Sequence, residues 1–112
     1  MSEYVHHRRV LGAADGTAAG LLFDNQTFAI MAISHEPDSN TPDLMADKDG
    51  DRVLLLTSGD LALQIGATRY RLNPGDAVQI PRGTRFGNSH STSGAQMLLI
   101  RAKPARSFTL IR

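Results

Sequence analysis

The sequence contains no cysteine and no tryptophan. Without cysteine there is no disulfide scaffold, no thiolate metal site and no cysteine nucleophile. Neither sign of charge is in excess: 12 Lys and Arg stand against 11 Asp and Glu, a formal net charge of +1. That balance supplies no large field for holding nucleic acid or an anionic membrane. Aromatic residues make up 5%, and scattered arginines without Trp do not build a stacking platform, so no nucleic-acid partner is expected. Long apolar runs are missing as well. The apolar-leaning stretch at residues 28–33 is far short of the ~20 residues that cross a bilayer, and no membrane partner is expected. Val5-His6-His7-Arg8-Arg9-Val10 is not followed by the apolar core of a secretory leader. The expectation is a soluble, cytoplasmic protein.

What remains is enough for one globular unit. A chain of 112 residues suits a single domain and buries roughly two-thirds of its unfolded surface. Hydrophobic residues make up 41%, which argues against wholesale disorder. Helical periodicity is almost absent. Short apolar runs are broken by Gly, Pro, Asn and Asp at intervals of about 8–12 residues, the pattern of an all-β sandwich or barrel.

The spacing predicts strands at 21–23, 27–34, 52–57, 60–65, 68–72, 77–80, 85–88, 96–102 and 107–111. Asp24-Asn25 suits a tight hairpin, Gly59 and Gly66 supply positive φ, and Asn73-Pro74-Gly75-Asp76 fits a type II turn. Residues 35–51 resist this reading. They are polar, contain Pro37 and Pro42, and hold only Leu44 and Met45 as a strand seed, so they are expected to form a long loop, disordered or functional. The basic residues His6–Arg9 read as a solvated arm.

The stretch Gly75-Asp-Ala-Val-Gln-Ile-Pro81-Arg-Gly83-Thr-Arg-Phe86 resembles the second signature of the cupin superfamily. That signature is Gly, five residues, Pro, one residue, Gly, two residues, His, then Asn after three more; Gly75, Pro81 and Gly83 fall in register. Arg52-Val-Leu-Leu-Leu-Thr-Ser-Gly59 is similar to the end of the first signature, where an acidic residue precedes Gly by seven positions. The resemblance spans about residues 28–100. It implies an all-β, single-domain double-stranded β-helix, or jelly-roll barrel, over 1–112, with an N-terminal arm at 1–18 and a core barrel at 28–100. Closure of this kind removes the edges of short antiparallel strands and leaves a concave mouth for a ligand.

The departures from the family pattern carry as much weight. Cupin metal sites resemble a three-His-one-Glu set. Here the Glu slot is Arg52, the second-signature His slot is Phe86, and the His-x-His slots fall on Met45 and Asp47, or on Ala46 and Lys48. A permanent cation at the metal position repels a divalent ion, so no metal and no other cofactor is expected. A displaced site built from His35, Asp47 and His90 is the alternative. The bland reading of His35 is a half-exposed residue at a strand end.

Strand alternation from Phe86 puts Asn88 and His90 on the same face as Phe86, with His90 in the family's Asn slot. The expected mouth therefore holds His90, Arg52 and Asp47 as catalytic candidates and Met45, Gln64, Gln79, Phe86 and Asn88 as ligand-binding ones. Arg52 offers a planar fork for a carboxylate or phosphate, His90 titrates near neutrality, and Asp47 would orient it. Each has a plain reading beside the chemical one: Arg52 paired with Asp49 or Asp51 at the rim, Phe86 filling the void of a metal, Gln79 facing solvent, His90 in a loop. No phosphate loop matches Gly12–Gly20, and Ser89–Ser93 lack a nucleophile-elbow context.

The expected function is a metal-free cupin binding a small organic acid or sugar-like molecule, either as a pure binder or as an enzyme of isomerisation, epimerisation or cyclisation by proton transfer. The alternatives are a metal-dependent dioxygenase, lyase or isomerase with displaced ligands, and a regulatory or assembly barrel. A homodimer is expected through the apolar runs Leu21-Leu22-Phe23 and Phe108-Thr109-Leu110-Ile111.

Overall fold

The computed structural model describes residues 9–14 and 17–103. Its elements are ten strands: β1 Arg9–Ala14, β2 Thr17–Asp24, β3 Phe28–His35, β4 Ser39–Met45, β5 Arg52–Gly59, β6 Leu61–Ile65, β7 Thr68–Leu72, β8 Ala77–Ile80, β9 Phe86–Ser91 and β10 Ala95–Ala102. They form two antiparallel sheets, one of six strands ordered β1-β2-β3-β10-β5-β8 and one of four ordered β4-β9-β6-β7. The expected all-β jelly roll is the fold observed. Among the described residues no helix is long and apolar enough to cross a membrane.

The predicted turns form for the reasons given by their residues. Asn25 Oδ1 accepts from the amides of Thr27 and Phe28 at 2.8 and 2.9 Å, closing the β2–β3 hairpin. Gly75 holds φ at +94°, as the third position of a Pro-Gly type II turn requires. Asp60 stands just before β6 and accepts from the Thr92 and Ser93 amides at 3.1 and 2.7 Å, tying down the β9–β10 turn. The Ser93 hydroxyl and these amides favour the ionised carboxylate and hold its pKa down at about 2.

Two stretches differ from the sequence reading. Residues 9–14 and 17–18, expected in a free arm, are strands: β1 pairs with β2, Ala13 lying opposite Ala18. Alanine and glycine dominate here, so no apolar alternation announced the pairing. Residues 35–51, expected as a loop, contain β4, which pairs with β9 from Ser39 opposite Ser91 to Met45 opposite Phe86. The inward side of β4 carries hydroxyls instead of aliphatic groups, so the period of two was present but not in hydrophobicity. Pro42 falls where the β4–β9 register shifts, between Thr41 and Leu44, a position at which a missing N–H costs little. The predicted strand at 107–111 lies outside the described residues.

The core lies between the sheets. Leu54 and Leu56 of β5, Met97 and Leu99 of β10, and Leu61 and Leu63 of β6 are buried in one cluster. Each pair is two residues apart, so one face of each strand turns inward. At one end of this interior the chain crosses from β3 to β4, and so from the large sheet to the small one, through the turn Glu36-Pro37-Asp38. His35 stands at that crossing, opposite Thr17 on one neighbour and Ala95 on the other.

Candidate functional site

A cavity of about 300 Å³ opens between the sheets. Its walls are mostly aliphatic, with Met45 and Phe86 at β4 and β9 and Leu54, Ile80 and Leu99 opposite. The exceptions come from β3, β4 and β9: His35, Thr41, Asp43 and Ser89. A dry-walled pocket with a few convergent polar groups is the usual form of a small-molecule site, and this volume lies at its small end.

The polar edge is a chain of hydrogen bonds whose direction is fixed by its last member. Ser39 Oγ lies 2.7 Å from the carbonyl oxygen of Glu36, which can only accept. The single Ser39 proton is therefore committed. Ser39 Oγ also lies 2.7 Å from His35 Nδ1, so it must accept there, and Nδ1 carries the imidazole proton. Nε2 of the neutral ring is then a lone pair, 3.3 Å from Ser89 Oγ, which donates to it. Ser89 Oγ in turn accepts from Thr41 Oγ1. Thr41, Ser89, His35, Ser39 and the Glu36 carbonyl thus point their protons one way, and the network itself assigns the tautomer.

His35 is 7% exposed, not the half-exposed strand-end residue expected. Burial pushes its pKa below the ordinary value of 6.5, and the neighbouring His90 lowers it further. The ring is held neutral, with its basic nitrogen toward Ser89. His35 is also among the residues lining a separate polar cleft of about 280 Å³, with Ser34, Ser58, Ser93 and Gln96.

Why Ser89 faces the cavity and His90 does not is a matter of one residue. Between Ala62 and Gln64 on β6 there is a single residue, whereas between their partners His90 and Gly87 on β9 there are two. That is a β-bulge, and it reverses the alternation that the sequence reading carried through from Phe86. Asn88 sits in it at φ +46° and Gly87 at φ +137°. A Cβ on Gly87 would lie 2.2 Å from the Asp43 carbonyl oxygen, so only glycine lets β9 pass β4 this closely.

The expected site residues accordingly separate into three groups. Met45 and Phe86 line the cavity. Arg52, Asp47 and Arg101 make a rim cluster: Arg52 Nε lies 3.2 Å from Asp47 Oδ2, Arg101 grips both carboxylate oxygens, and the Arg52 guanidinium stacks 5.2 Å above the Phe86 ring. Arg101 is the main reason that the Asp47 carboxyl is held well below its usual range. Asp47 is thus fully engaged, neither orienting His90 nor free as a base, and Arg52 pairs with Asp47 in place of the expected Asp49 or Asp51.

The third group stays outside the cavity. Asn88 Nδ2 donates to Gln64 Oε1 at 3.3 Å, Gln64 Nε2 donates to the Gly66 carbonyl, and Gln79 is exposed on β8. His90 lies opposite Asn40, its Nε2 3.4 Å from Thr92 Oγ1 in an exposed contact. Sequence reasoning considered His35 only as a member of a displaced metal site and did not single out Ser39, Thr41 and Ser89. Their signal was a run of small hydroxyls at a spacing of two, Ser39 and Thr41 on one segment and Ser89 and Ser91 on another.

This donor set does not fit the metal that the cupin fold often carries. Among the described residues no three His, Cys, Asp or Glu side chains come together to hold an ion. Both nitrogens of His35 are engaged in hydrogen bonds, and the displaced set His35, Asp47 and His90 does not assemble because two arginines hold Asp47.

No protein-family model and no curated protein matches this sequence. Solved structures do match in shape. An RmlC-like cupin from Shewanella frigidimarina superposes with a TM-score of 0.77 at 17% identity, covering 95% of each chain. KdgF from Halomonas gives 0.74 at 15% identity, over 90% of each chain. Pac13, a Streptomyces nucleoside dehydratase also solved with uridine, gives 0.77 at 12% identity, over 94% of this chain and 86% of that one. The chain has the cupin fold.

The lowered pKa of His35 has a measurable consequence for stability. Below pH 6.5 the unfolded chain takes up a proton that the folded chain refuses. Stability is therefore full above that pH and declines as pH falls through it. Urea midpoints for the wild type are expected to drop between pH 7.5 and 5.5, and the drop should shrink in His35→Gln. An equal drop in both proteins would contradict the assignment.

Proposed function

We propose that this protein binds a small, mainly apolar organic molecule carrying one carbonyl or hydroxyl group, and catalyses proton transfer on it without a metal. The observation that carries the reading is the buried, neutral His35, oriented through Nδ1 by Ser39 and presenting Nε2 at the polar edge of an otherwise aliphatic cavity. A base must be positioned first and tuned second, and His35 meets both conditions. The proton it takes from an acidic C–H beside a carbonyl returns at a neighbouring atom, which is isomerisation, or to the other face of the same carbon, which is epimerisation.

The walls narrow the ligand relative to the sequence expectation. A sugar-like molecule would leave hydroxyls unpaired against leucine and isoleucine, at roughly 1–3 kcal/mol each. An organic acid would find Arg52 already neutralised by Asp47. A carbonyl compound needs one donor, which the Thr41 hydroxyl at that edge supplies by turning from Ser89 to the ligand. That Pac13 is a nucleoside dehydratase supports small-molecule chemistry in a barrel of this shape.

The test uses 2-methylcyclohexanone in D₂O, with loss of the α-proton signals followed by NMR. The wild type should accelerate exchange, and His35→Gln should lower the rate at least ~100-fold, the usual size of a general-base contribution. Exchange at the buffer rate with wild-type protein would sink the reading.

We also propose that the protein acts as a cytoplasmic homodimer. The six-stranded sheet ends in β1, an edge that a partner strand would cover, and at the neighbouring β2–β3 hairpin Phe23 meets Phe28 with ring centroids 5.2 Å apart. Light scattering at micromolar concentration should return twice the 12.1 kDa chain mass; a monomer mass would refute it.

A further inference from the structure

The direction of the hydrogen-bond chain has a second chemical meaning. Ser89 Oγ donates its proton to the free Nε2 of His35 at 3.3 Å while the opposite nitrogen is held by Ser39. Nucleophile, base and orienting group in that order are the general recipe for activating a hydroxyl. The separation is at the loose end of the range, as is usual before substrate is bound. Thr41 donates to Ser89 Oγ from the other side, a bond that strengthens as the oxygen gains negative charge. Ser89 lines the mostly aliphatic cavity, so a bound ester would meet the oxygen against apolar walls.

We propose that Ser89 is a nucleophile toward small apolar esters, so that the barrel forms an acyl-enzyme. Ser89 Oγ attacks the ester carbonyl carbon and its proton passes to His35 Nε2. The new carbon–oxygen bond forms as the bond to the alkoxide or aryloxide breaks, and the leaving oxygen takes the proton from His35. Water then attacks the acyl carbon, its proton passing first to His35 and then to Ser89 Oγ, which leaves as the hydroxyl; the carboxylic acid is released. No other reactant is needed. The cavity of about 300 Å³ limits the acyl part to a short aliphatic chain.

This inference rests on the reading of His35 as a neutral base, and the closing experiment tells the two apart. Purified full-length protein is mixed with 4-nitrophenyl butanoate, the 4-nitrophenolate burst is followed, and the adduct is located by intact mass and peptide mapping. One butanoyl group on Ser89 is expected, with none in Ser89→Ala. His35→Gln should slow labelling at least ~100-fold. Ser39→Ala, which alters only the positioning of the imidazole, should slow it less and shift its pH profile, while circular dichroism shows all three variants folded. Absence of an adduct, an adduct on lysine or tyrosine, or labelling indifferent to His35→Gln overturns the inference. In the same sample, α-proton exchange that persists without Ser89 labelling leaves His35 as a base and removes the nucleophile alone; loss of both removes the base as well.

Discussion

A backbone carbonyl cannot donate a hydrogen bond, and that restriction at Glu36 sets the chemistry of the cavity. It commits the Ser39 proton, and through Ser39 it places the imidazole proton of His35 on Nδ1. Everything beyond follows: a lone pair on Nε2, a donating Ser89, a donating Thr41. The geometry depends on the crossing from β3 to β4, because only a tight turn brings Ser39 back under a histidine four residues earlier. Asp38 stands in that turn at φ +57°, and its amide bonds to the Thr92 carbonyl, fastening the crossing to the end of β9. Packing pushes the same way. A protonated imidazole between leucine-rich sheets would lose hydration, and its ring nitrogens meet hydroxyls and no carboxylate, so the neutral form is the one the fold accommodates.

The rim shows how an interior of this shape is closed when its usual ligand positions change character. Arg52 and Phe86 occupy slots where the cupin pattern places a carboxylate and an imidazole. The two side chains stack on one another, and Asp47 joins Arg52 to Arg101. Asp47 also accepts the Gly83 amide through its own carbonyl at 2.7 Å, tying the β4–β5 connection to the loop before β9. These side chains act as a bracket between strands. The polar groups of the cavity gather on its far side, where β3, β4 and β9 meet.

The barrel was legible because its determinants are local. Pro74-Gly75 and Asp24-Asn25 carry turn chemistry in the residues themselves, and Leu54 with Leu56 or Met97 with Leu99 show the period of two in hydrophobicity. β4 and the site were hidden for a related reason. Their inward positions are Ser39, Thr41, Ser89 and Ser91, whose alternation is in hydroxyls and reads as loop. The bulge at Gly87 and Asn88 was the costlier omission, since one unpaired residue exchanged His90 for Ser89 at the cavity. A glycine beside an asparagine inside a strand was the available sign, and only the partner strands show that it adds a residue. His35 was set aside as a strand-end residue because the sequence gives no view of the crossing that buries it.

The most direct test of this account is the tautomer of His35. Long-range ¹H–¹⁵N correlation spectra of uniformly ¹⁵N-labelled protein at pH 7 report each ring nitrogen separately. The account requires Nδ1 in the protonated range and Nε2 in the unprotonated range, persisting as the sample is acidified below pH 6.5. A proton on Nε2, or a ring already charged at neutral pH, would reverse the hydrogen-bond chain and contradict the role assigned to His35.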